Sequence, residues 1–140
     1  MFAANRNAAS MYRAIGAETA VSNADAHGLV SMLYEGVLAS LARAMGATGE
    51  QRRGERAQAL NRALRLIEEG LRVGLDFKAP GSIAENLAVV YDHCTLKITQ
   101  AMLDPSTDLM PVVRMLGGLK DAWAQIPPAV RSNPRAHLVY

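Results

Sequence analysis

The segment from Leu29 to Leu38, which reads LVSMLYEGVL, constrains the fold of this chain more than any other. Successive residues of an α-helix advance about 100° around its axis. With this spacing, the apolar residues of the segment and of the two helical turns that follow it lie on one side of the helix. The stripe consists of Leu29, Leu33, Val37, Leu41 and Ala44, flanked by Val30, Tyr34, Leu38 and Met45. It covers close to half of the helix, whereas an ordinary surface helix buries a stripe of roughly 100°. We therefore expect a helix that contacts neighbours on more than one side.

Gly36 lies inside this segment. A glycine in the middle of a helix costs up to about 1 kcal/mol relative to alanine. Its missing side chain is easiest to explain where another backbone approaches closely, so we expect a neighbouring helix to pack there. A crowded position between two helices of a bundle and a helix that also binds a partner both fit this pattern.

The composition of the chain favours a single helical domain. Of its 140 residues, 50% are hydrophobic and only 5% are aromatic. This balance is typical of helices that pack through aliphatic side chains, and not of a sheet rich in aromatic and β-branched residues. No break in composition divides the chain, and its length is sufficient for one hydrophobic core.

Charge and cysteine content limit the classes of function. The 15 basic and 13 acidic residues give a net charge of +2, which is too balanced to indicate nucleic-acid binding. No apolar run reaches the roughly 20 residues that cross a bilayer, and the N-terminus lacks the apolar core of a secretory signal. Cys94 is the only cysteine, which favours a reducing compartment. We expect a cytosolic protein that neither inserts in membranes nor binds nucleic acid.

Four amphipathic segments with helical spacing follow one another along the chain. They run from Asp25 to about Met45, from roughly Glu50 to Leu75, from Ser82 to Met102, and from about Thr107 or Asp108 to Ile126, with Asp25 and Ser82 as caps. The sequence predicts an all-α fold, an antiparallel up-down four-helix bundle over residues 25–126. Residues 1–24 are predicted to form an N-terminal arm or a short extra helix, and residues 127–140 a flexible C-terminal tail.

The third predicted helix carries apolar residues on two opposite sides. Its main stripe comprises Ile83, Leu87, Val90, Tyr91, Cys94, Ile98 and Met102. Val89, Leu96 and Leu103 recur every seven residues on the other side, which is the spacing of a narrow seam between helices. A partner helix, a second copy of the chain or the N-terminal arm can cover this row, and a central position of the helix in the bundle explains it equally well.

No combination of residues indicates a catalytic or metal site. A di-metal helical bundle needs Glu-x-x-His pairs, and no glutamate of this chain has a histidine three residues later. His27, His93 and His137 lie in different segments, and we expect each to be solvated or locally bonded. Cys94 falls on the apolar stripe, which favours a buried and inert thiol. We therefore predict neither an enzyme nor a bound cofactor or metal.

The arginines of the second predicted helix are interpreted as a solvated face. Arg62, Arg65 and Arg72 lie opposite the apolar stripe, but Glu69 shares their side of the helix. Glu68 precedes Arg72 by four residues, the spacing of an ion pair that stabilises a helix. A mixed face of this kind argues against a phosphate-binding surface.

Three short stretches stand in order along the chain: LVSMLYEG from Leu29 to Gly36, IAENLAVVYD from Ile83 to Asp92, and LKDAWAQI from Leu119 to Ile126. They resemble, at matching spacing, the patterns Leu-Val-x-Met-Leu-Tyr-Asp/Glu-Gly, Ile-Ala-x-Asn-Leu-x-x-Leu-Tyr-Asp and Leu-x-x-Ala-Trp of the FliS family of flagellar export chaperones. The resemblance extends from about Tyr12 to Ile126.

This resemblance implies a cytosolic chaperone that binds the C-terminal segment of flagellin, prevents its premature polymerisation and supports its export by flagellar type III secretion, without ATP or metal. In the family an N-terminal arm folds over part of the client-binding surface, and Tyr12 and Ile15 match its apolar contact positions. The candidate partner-binding residues, in a groove shared among helices, are Tyr12, Ile15, Met32, Tyr34, Leu87, Val89, Tyr91, Leu96 and Leu103. The alternative is a helical homodimer that acts as an adaptor or regulator of flagellar assembly, and other flagellar export or regulatory proteins are further candidate partners.

Overall fold

The computed structural model describes residues 26–78, 81 and 83–125, which form helices joined by turns. Helix α1 spans Ala26–Gly46, α2 spans Arg53–Arg65, α3 spans Ile83–Leu103 and α4 spans Met110–Ala124. A 3-10 turn, Glu50–Arg52, precedes α2, and a π-helical segment, Leu66–Leu71, follows it. The described residues contain no strand, and none of their helices combines the length and the apolar character needed to cross a membrane. The predicted all-α four-helix bundle is confirmed.

Several predictions fall outside the described residues. They concern the N-terminal arm with Tyr12 and Ile15, the caps Asp25 and Ser82, His137, the helix end at Ile126, and the C-terminal tail. The division into an arm, a bundle and a tail therefore stays a prediction.

Helix α1 packs against both α2 and α4. The members of its predicted stripe that are buried are Leu33, Val37, Leu41 and Ala44, with Tyr34 beside them. The helix ends at Gly46, whose carbonyl oxygen accepts a 3.2 Å hydrogen bond from the Arg52 guanidinium. A cation at this position also interacts favourably with the negative end of the helix dipole. The wide apolar stripe thus serves contacts with two neighbouring helices, as predicted.

The second helical run differs from the continuous α-helix predicted from Glu50 to Leu75. After Arg65 the backbone widens into the π segment. The amide of Arg72 accordingly donates to the carbonyl of Ile67, five residues back, at 2.8 Å. Four residues of this segment are buried, namely Leu66, Ile67, Gly70 and Leu71.

Gly70 brings the π segment close to α1. A Cβ atom added to Gly70 would lie 2.7 Å from Cδ2 of Leu33, well inside van der Waals contact. The close approach predicted from sequence was at Gly36, which is buried. The approach of Gly70 to Leu33 is an additional one that the sequence did not indicate.

Helix α3 buries a narrower set of residues than its predicted stripe. The buried residues are Ala84, Tyr91, Cys94, Ile98 and Ala101. Ile83 and Met102 were predicted on the stripe but are 51% and 40% exposed. Both lie in terminal turns of α3 and at the margins of the stripe, where the neighbouring helices leave them uncovered.

Two arginines of the second helical run hold α3 in place. Arg56 donates a 2.6 Å hydrogen bond to the carbonyl of Ala101, in the last turn of α3. At the middle of the helix, Arg72 forms an ion pair with Asp92 of α3. These polar contacts supplement the apolar core and fix the position of α3 along α2.

The connection between α3 and α4 is short and locally bonded. The carboxylate of Asp104 accepts hydrogen bonds from the hydroxyl of Ser106 at 2.7 Å and from its amide at 3.0 Å. These two bonds hold the pKa of Asp104 below its ordinary value. The carboxylate of Asp108 accepts from the amide of Met110 at 3.0 Å, and Pro111 lies in the first turn. Helix α4 therefore begins a little later than predicted.

Candidate partner-binding surfaces

An exposed row of apolar side chains runs along the outer side of α3. Val89 is 68% exposed, Leu96 55% and Leu103 85%. From Val89 to Leu103 the row spans about 21 Å of the helix axis. Because Tyr91 and Ile98 point into the core from the opposite side, the row faces away from the bundle. Large apolar side chains exposed in one row are typical of a surface that binds a partner.

A cavity of about 480 Å³ lies between α1 and α2. Its apolar lining comes from Met32, Gly36 and Ala39 of α1 and from Ala59 of α2. Gly36 and Ala59 are buried. Since glycine and alanine carry at most a methyl group, these residues leave room for the cavity between the two helices.

Polar side chains complete the lining of the cavity. They are Glu35, Ser40 and Arg43 of α1 and Gln58 and Arg62 of α2. The carboxylate of Glu35 pairs with Lys120 of α4 at 3.7 Å. Arg43 pairs with Glu55 at 3.5 Å, and both of these side chains are well exposed to solvent. Apart from Glu35, every polar side chain of the lining can donate hydrogen bonds, and two of these side chains are cations.

The predicted partner-binding residues that the structure describes fall into three groups. Val89, Leu96 and Leu103 are exposed, Met32 and Leu87 are half-buried and pack against the core, and Tyr34 and Tyr91 are buried. The hydroxyl oxygens of Tyr34 and Tyr91 lie 2.7 Å apart. In this structure neither tyrosine ring offers surface to a partner.

The arginines beyond the cavity form ion pairs on the surface of the second helical run. Arg65 pairs with Glu69 at 3.1 Å. Arg72 pairs with Glu68 at 3.3 Å, and this is the pair predicted from their spacing. Pairs of this kind contribute little free energy, but they neutralise the charge that a phosphate group would need.

His27 is not the solvated or locally bonded residue predicted from the sequence. It is 7% exposed and stacks on Trp123 of α4, with ring centroids 4.8 Å apart. Nε2–H of His27 donates to the carbonyl of Trp123 at 2.7 Å, and Nε1–H of Trp123 donates to the carbonyl of His27 at 2.9 Å. The contact joins the start of α1 to the end of α4.

Cys94 is buried, as predicted, with its Sγ 3.9 Å from Sδ of Met115. Burial raises the pKa of the Cys94 thiol to about 11, because a medium of low polarity disfavours the thiolate. The described part of the chain brings together no group of three histidine, cysteine, aspartate or glutamate residues that could hold a metal ion.

Sequence reasoning missed the cavity between α1 and α2. A signal was present in the three small residues Gly36, Ala39 and Ser40, which lie within about one turn and leave a depression on the surface of α1. The facing Ala59 could not be paired with them, because only the packing of α2 on α1 shows which residues meet.

Comparisons with known proteins agree on one family. The sequence model of the family described as "Flagellar protein FliS" matches residues 8–130 of the chain. The flagellar secretion chaperone FliS of Salmonella typhimurium is 33% identical over 118 residues, which cover 84% of this chain and 87% of that protein. The flagellar secretion chaperone FliS of Escherichia coli strain K12 is 31% identical over 126 residues, or 88% of this chain and 93% of that protein. The flagellar secretion chaperone FliSB of Pseudomonas aeruginosa is 31% identical over 117 residues, or 83% and 92%.

Proposed function

This chain belongs to the FliS family of flagellar secretion chaperones, and on that premise we propose that it binds the disordered C-terminal segment of flagellin in the cytosol. Binding keeps that segment from polymerising before export. Membership of the family implies a binding role and not a catalytic one.

The exposed row Val89, Leu96 and Leu103 is the observation that carries this proposal. Covering a fully exposed valine or leucine side chain contributes about 1.5–3 kcal/mol. Ordering a disordered segment costs about 2–5 kcal/mol or more of the gross interaction energy. The row therefore supplies a gain of the size that a disordered client needs, and neighbouring contacts add to it.

The core of the bundle supports this surface. The contacts of Arg56 with Ala101 and of Arg72 with Asp92 hold α3 at its C-terminal end and at its middle. A surface that is already in its bound conformation lowers the cost of binding. Tyr34 and Tyr91 are proposed to help client binding by stabilising the core beneath this surface and not by contacting the client, since their side chains are buried.

The remaining candidate residues extend the proposed site. Leu87 and Met32 are half-buried and pack against the core. They lie apart from the row, since Leu87 is about 180° around α3 from Leu96 and Met32 lines the cavity between α1 and α2. Each is proposed to offer part of its surface to a client there. Tyr12 and Ile15 of the N-terminal arm are proposed to cover the groove while it is empty. Deletion of residues 1–24 should then change client affinity clearly, and an unaltered affinity would contradict this role of the arm.

A homodimeric adaptor is the second candidate function, because a second copy can also cover the row. A stable dimer needs about 800 Å² of buried surface on each partner, far more than three side chains on one helix supply. Light scattering on the wild-type protein and on Leu96→Asp separates the two functions. A wild-type dimer that Leu96→Asp dissociates supports the adaptor, whereas monomers in both proteins leave the row free for a client.

Titration calorimetry with the C-terminal segment of the flagellin from the same cell tests the chaperone function directly. Leu96→Asp should weaken binding at least about tenfold, because it places a charge where an apolar contact is expected. Ile83→Asp is the matched control, since Ile83 is 51% exposed on the same helix but lies about 140° around the axis from Leu96. Equal affinities of the two variants would contradict the role of the row, and failure of the wild-type protein to bind would overturn the function.

A further inference from the structure

The geometry points to the cavity between α1 and α2 as a pocket for a carboxylate side chain, contributed by an aspartate or glutamate of the bound client segment. This inference rests on the proposed binding of flagellin and adds the chemical type of the client residue that enters this cavity.

Ser40 supplies the first argument, because this residue brings a hydroxyl group to the lining of the cavity. The residue is 6% exposed and lines the cavity. A carboxylate bound in the cavity can accept a hydrogen bond from this hydroxyl.

The groups around Ser40 determine which acceptor fits. Arg43 lies one turn further along α1, and Gln58 and Arg62 line the cavity from α2. All of these side chains donate hydrogen bonds, and guanidinium groups bind carboxylates through two parallel bonds. Glu35 does not oppose an anion strongly, because its carboxylate is paired with Lys120.

The exposed ion pair of Arg43 leaves that cation available to a ligand. Its contact with Glu55 measures 3.5 Å, and the Arg43 side chain is 57% exposed. Solvent-exposed pairs of this kind contribute little to stability. A carboxylate held by Arg62 and Ser40 as well can therefore replace Glu55 at low cost.

The apolar part of the cavity favours a polypeptide side chain over a small free anion. Gly36, Ala39 and Ala59 form a surface that an aliphatic stem and a nearby backbone can cover. A volume of about 480 Å³ also exceeds what one phosphate or acetate ion fills. Ligand pockets of roughly this size accept groups with both apolar and polar parts.

The test is titration calorimetry of the full-length protein with the C-terminal flagellin segment. Arg62→Gln should weaken binding about tenfold or more, since it removes a hydrogen bond between charged groups. Ser40→Ala should weaken binding about threefold, because it removes one hydrogen bond to the bound carboxylate. Arg65→Gln is the matched control on the same helix, where Arg65 pairs with Glu69 away from the cavity, and its affinity should stay within about twofold.

Client variants identify the carboxylate. Each aspartate and glutamate of the flagellin segment is changed to its amide and measured against the wild-type protein and Arg62→Gln. One client residue should show strong coupling, so that its loss no longer weakens binding to Arg62→Gln. If Arg62→Gln does not fold, the same cycle is measured with Ser40→Ala.

The outcomes separate this pocket from the function on which it rests. Normal client binding by Ser40→Ala and Arg62→Gln, or no coupled client carboxylate, overturns the pocket alone. Failure of the wild-type protein to bind flagellin overturns the proposed function together with the pocket. Phosphate or acetate alone that saturates the NMR shifts of Ser40 and Arg62 below about 1 mM would assign the cavity to a small anion and also overturn the proposal.

Discussion

The hydroxyl oxygens of Tyr34 and Tyr91 lie 2.7 Å apart in the core, where they join α1 to α3. Each tyrosine belongs to one of the sequence stretches that resemble the FliS family, and the two residues are separated by 57 positions. Their contact gives these stretches a structural meaning. Both stretches specify how the helix that carries the exposed row is fixed to the rest of the bundle.

Removing either hydroxyl should destabilise the protein. We expect Tyr34→Phe and Tyr91→Phe each to lower the free energy of unfolding by about 1 kcal/mol or more, because the remaining hydroxyl loses a buried partner. The double variant should cost at least about 0.5 kcal/mol less than the sum of the two. Urea unfolding followed by circular dichroism measures all three values, and strict additivity would contradict the coupling.

A methyl group at Gly70 should be poorly tolerated. Its Cβ would lie 2.7 Å from Cδ2 of Leu33, and Leu33 is only 2% exposed, so it has little room to move. We expect Gly70→Ala to lower the free energy of unfolding by about 1–3 kcal/mol. Gly118→Ala is the control, because its Cβ meets no atom within 4 Å, and it should raise stability by up to about 1 kcal/mol. Equal effects in urea unfolding would contradict the close approach.

Loss of the His27 imidazole should be visible at Trp123, the single tryptophan of the chain. His27→Ala removes a hydrogen bond to the Trp123 carbonyl and a stacked ring. We expect a loss of about 1–3 kcal/mol in unfolding free energy and a shift of the indole emission to longer wavelength. His93→Ala changes an exposed histidine of α3 and should stay within about 0.5 kcal/mol of the wild type. An unchanged emission spectrum in His27→Ala would show that the two rings do not stack in solution.

The buried thiol should make stability depend on alkaline pH. Burial raises the pKa of Cys94 from its ordinary value of 9.0 to about 11. The folded state therefore holds the thiol proton more tightly, and its contribution is complete below pH 9 and is lost as the pH rises towards 11. The loss should be on the order of 2 kcal/mol.

Cys94→Ala isolates this contribution from the lysines that titrate in the same range. The variant should show a smaller decrease in unfolding free energy between neutral and strongly alkaline pH than the wild type does. Parallel decreases in the two proteins would contradict the assignment. The native thiol should also react slowly with alkylating reagents and quickly once the chain is unfolded.

Local patterns in the sequence were sufficient for the helices and for the exposed row. The apolar period predicted that α1 ends at about Met45, one residue before its observed end at Gly46. The seven-residue spacing correctly placed Val89 and Leu96 on the outer side of α3. These features depend on residues a few positions apart, and helix geometry alone relates them.

Features that depend on packing between distant residues could not be predicted in this way. The π segment coincides with the contact of Gly70 and Leu33, which lie on different helices. The cavity depends in the same manner on where α2 meets Ser40. Tyr34 illustrates the limit most clearly, since its place in a recognised stretch suggested contact with a partner, whereas its side chain is buried.

The contact between His27 and Trp123 bridges 96 positions of sequence and brings the first and last described helices together at their outer ends. Closing a loop of that length has an entropic cost, which is lower once the helices between these residues have assembled. Once formed, it opposes fraying of α1 and of α4 by the same bonds. Opening of the first turn of α1 therefore releases the last turn of α4 as well, which favours cooperative unfolding of α1 and α4 over their separate detachment.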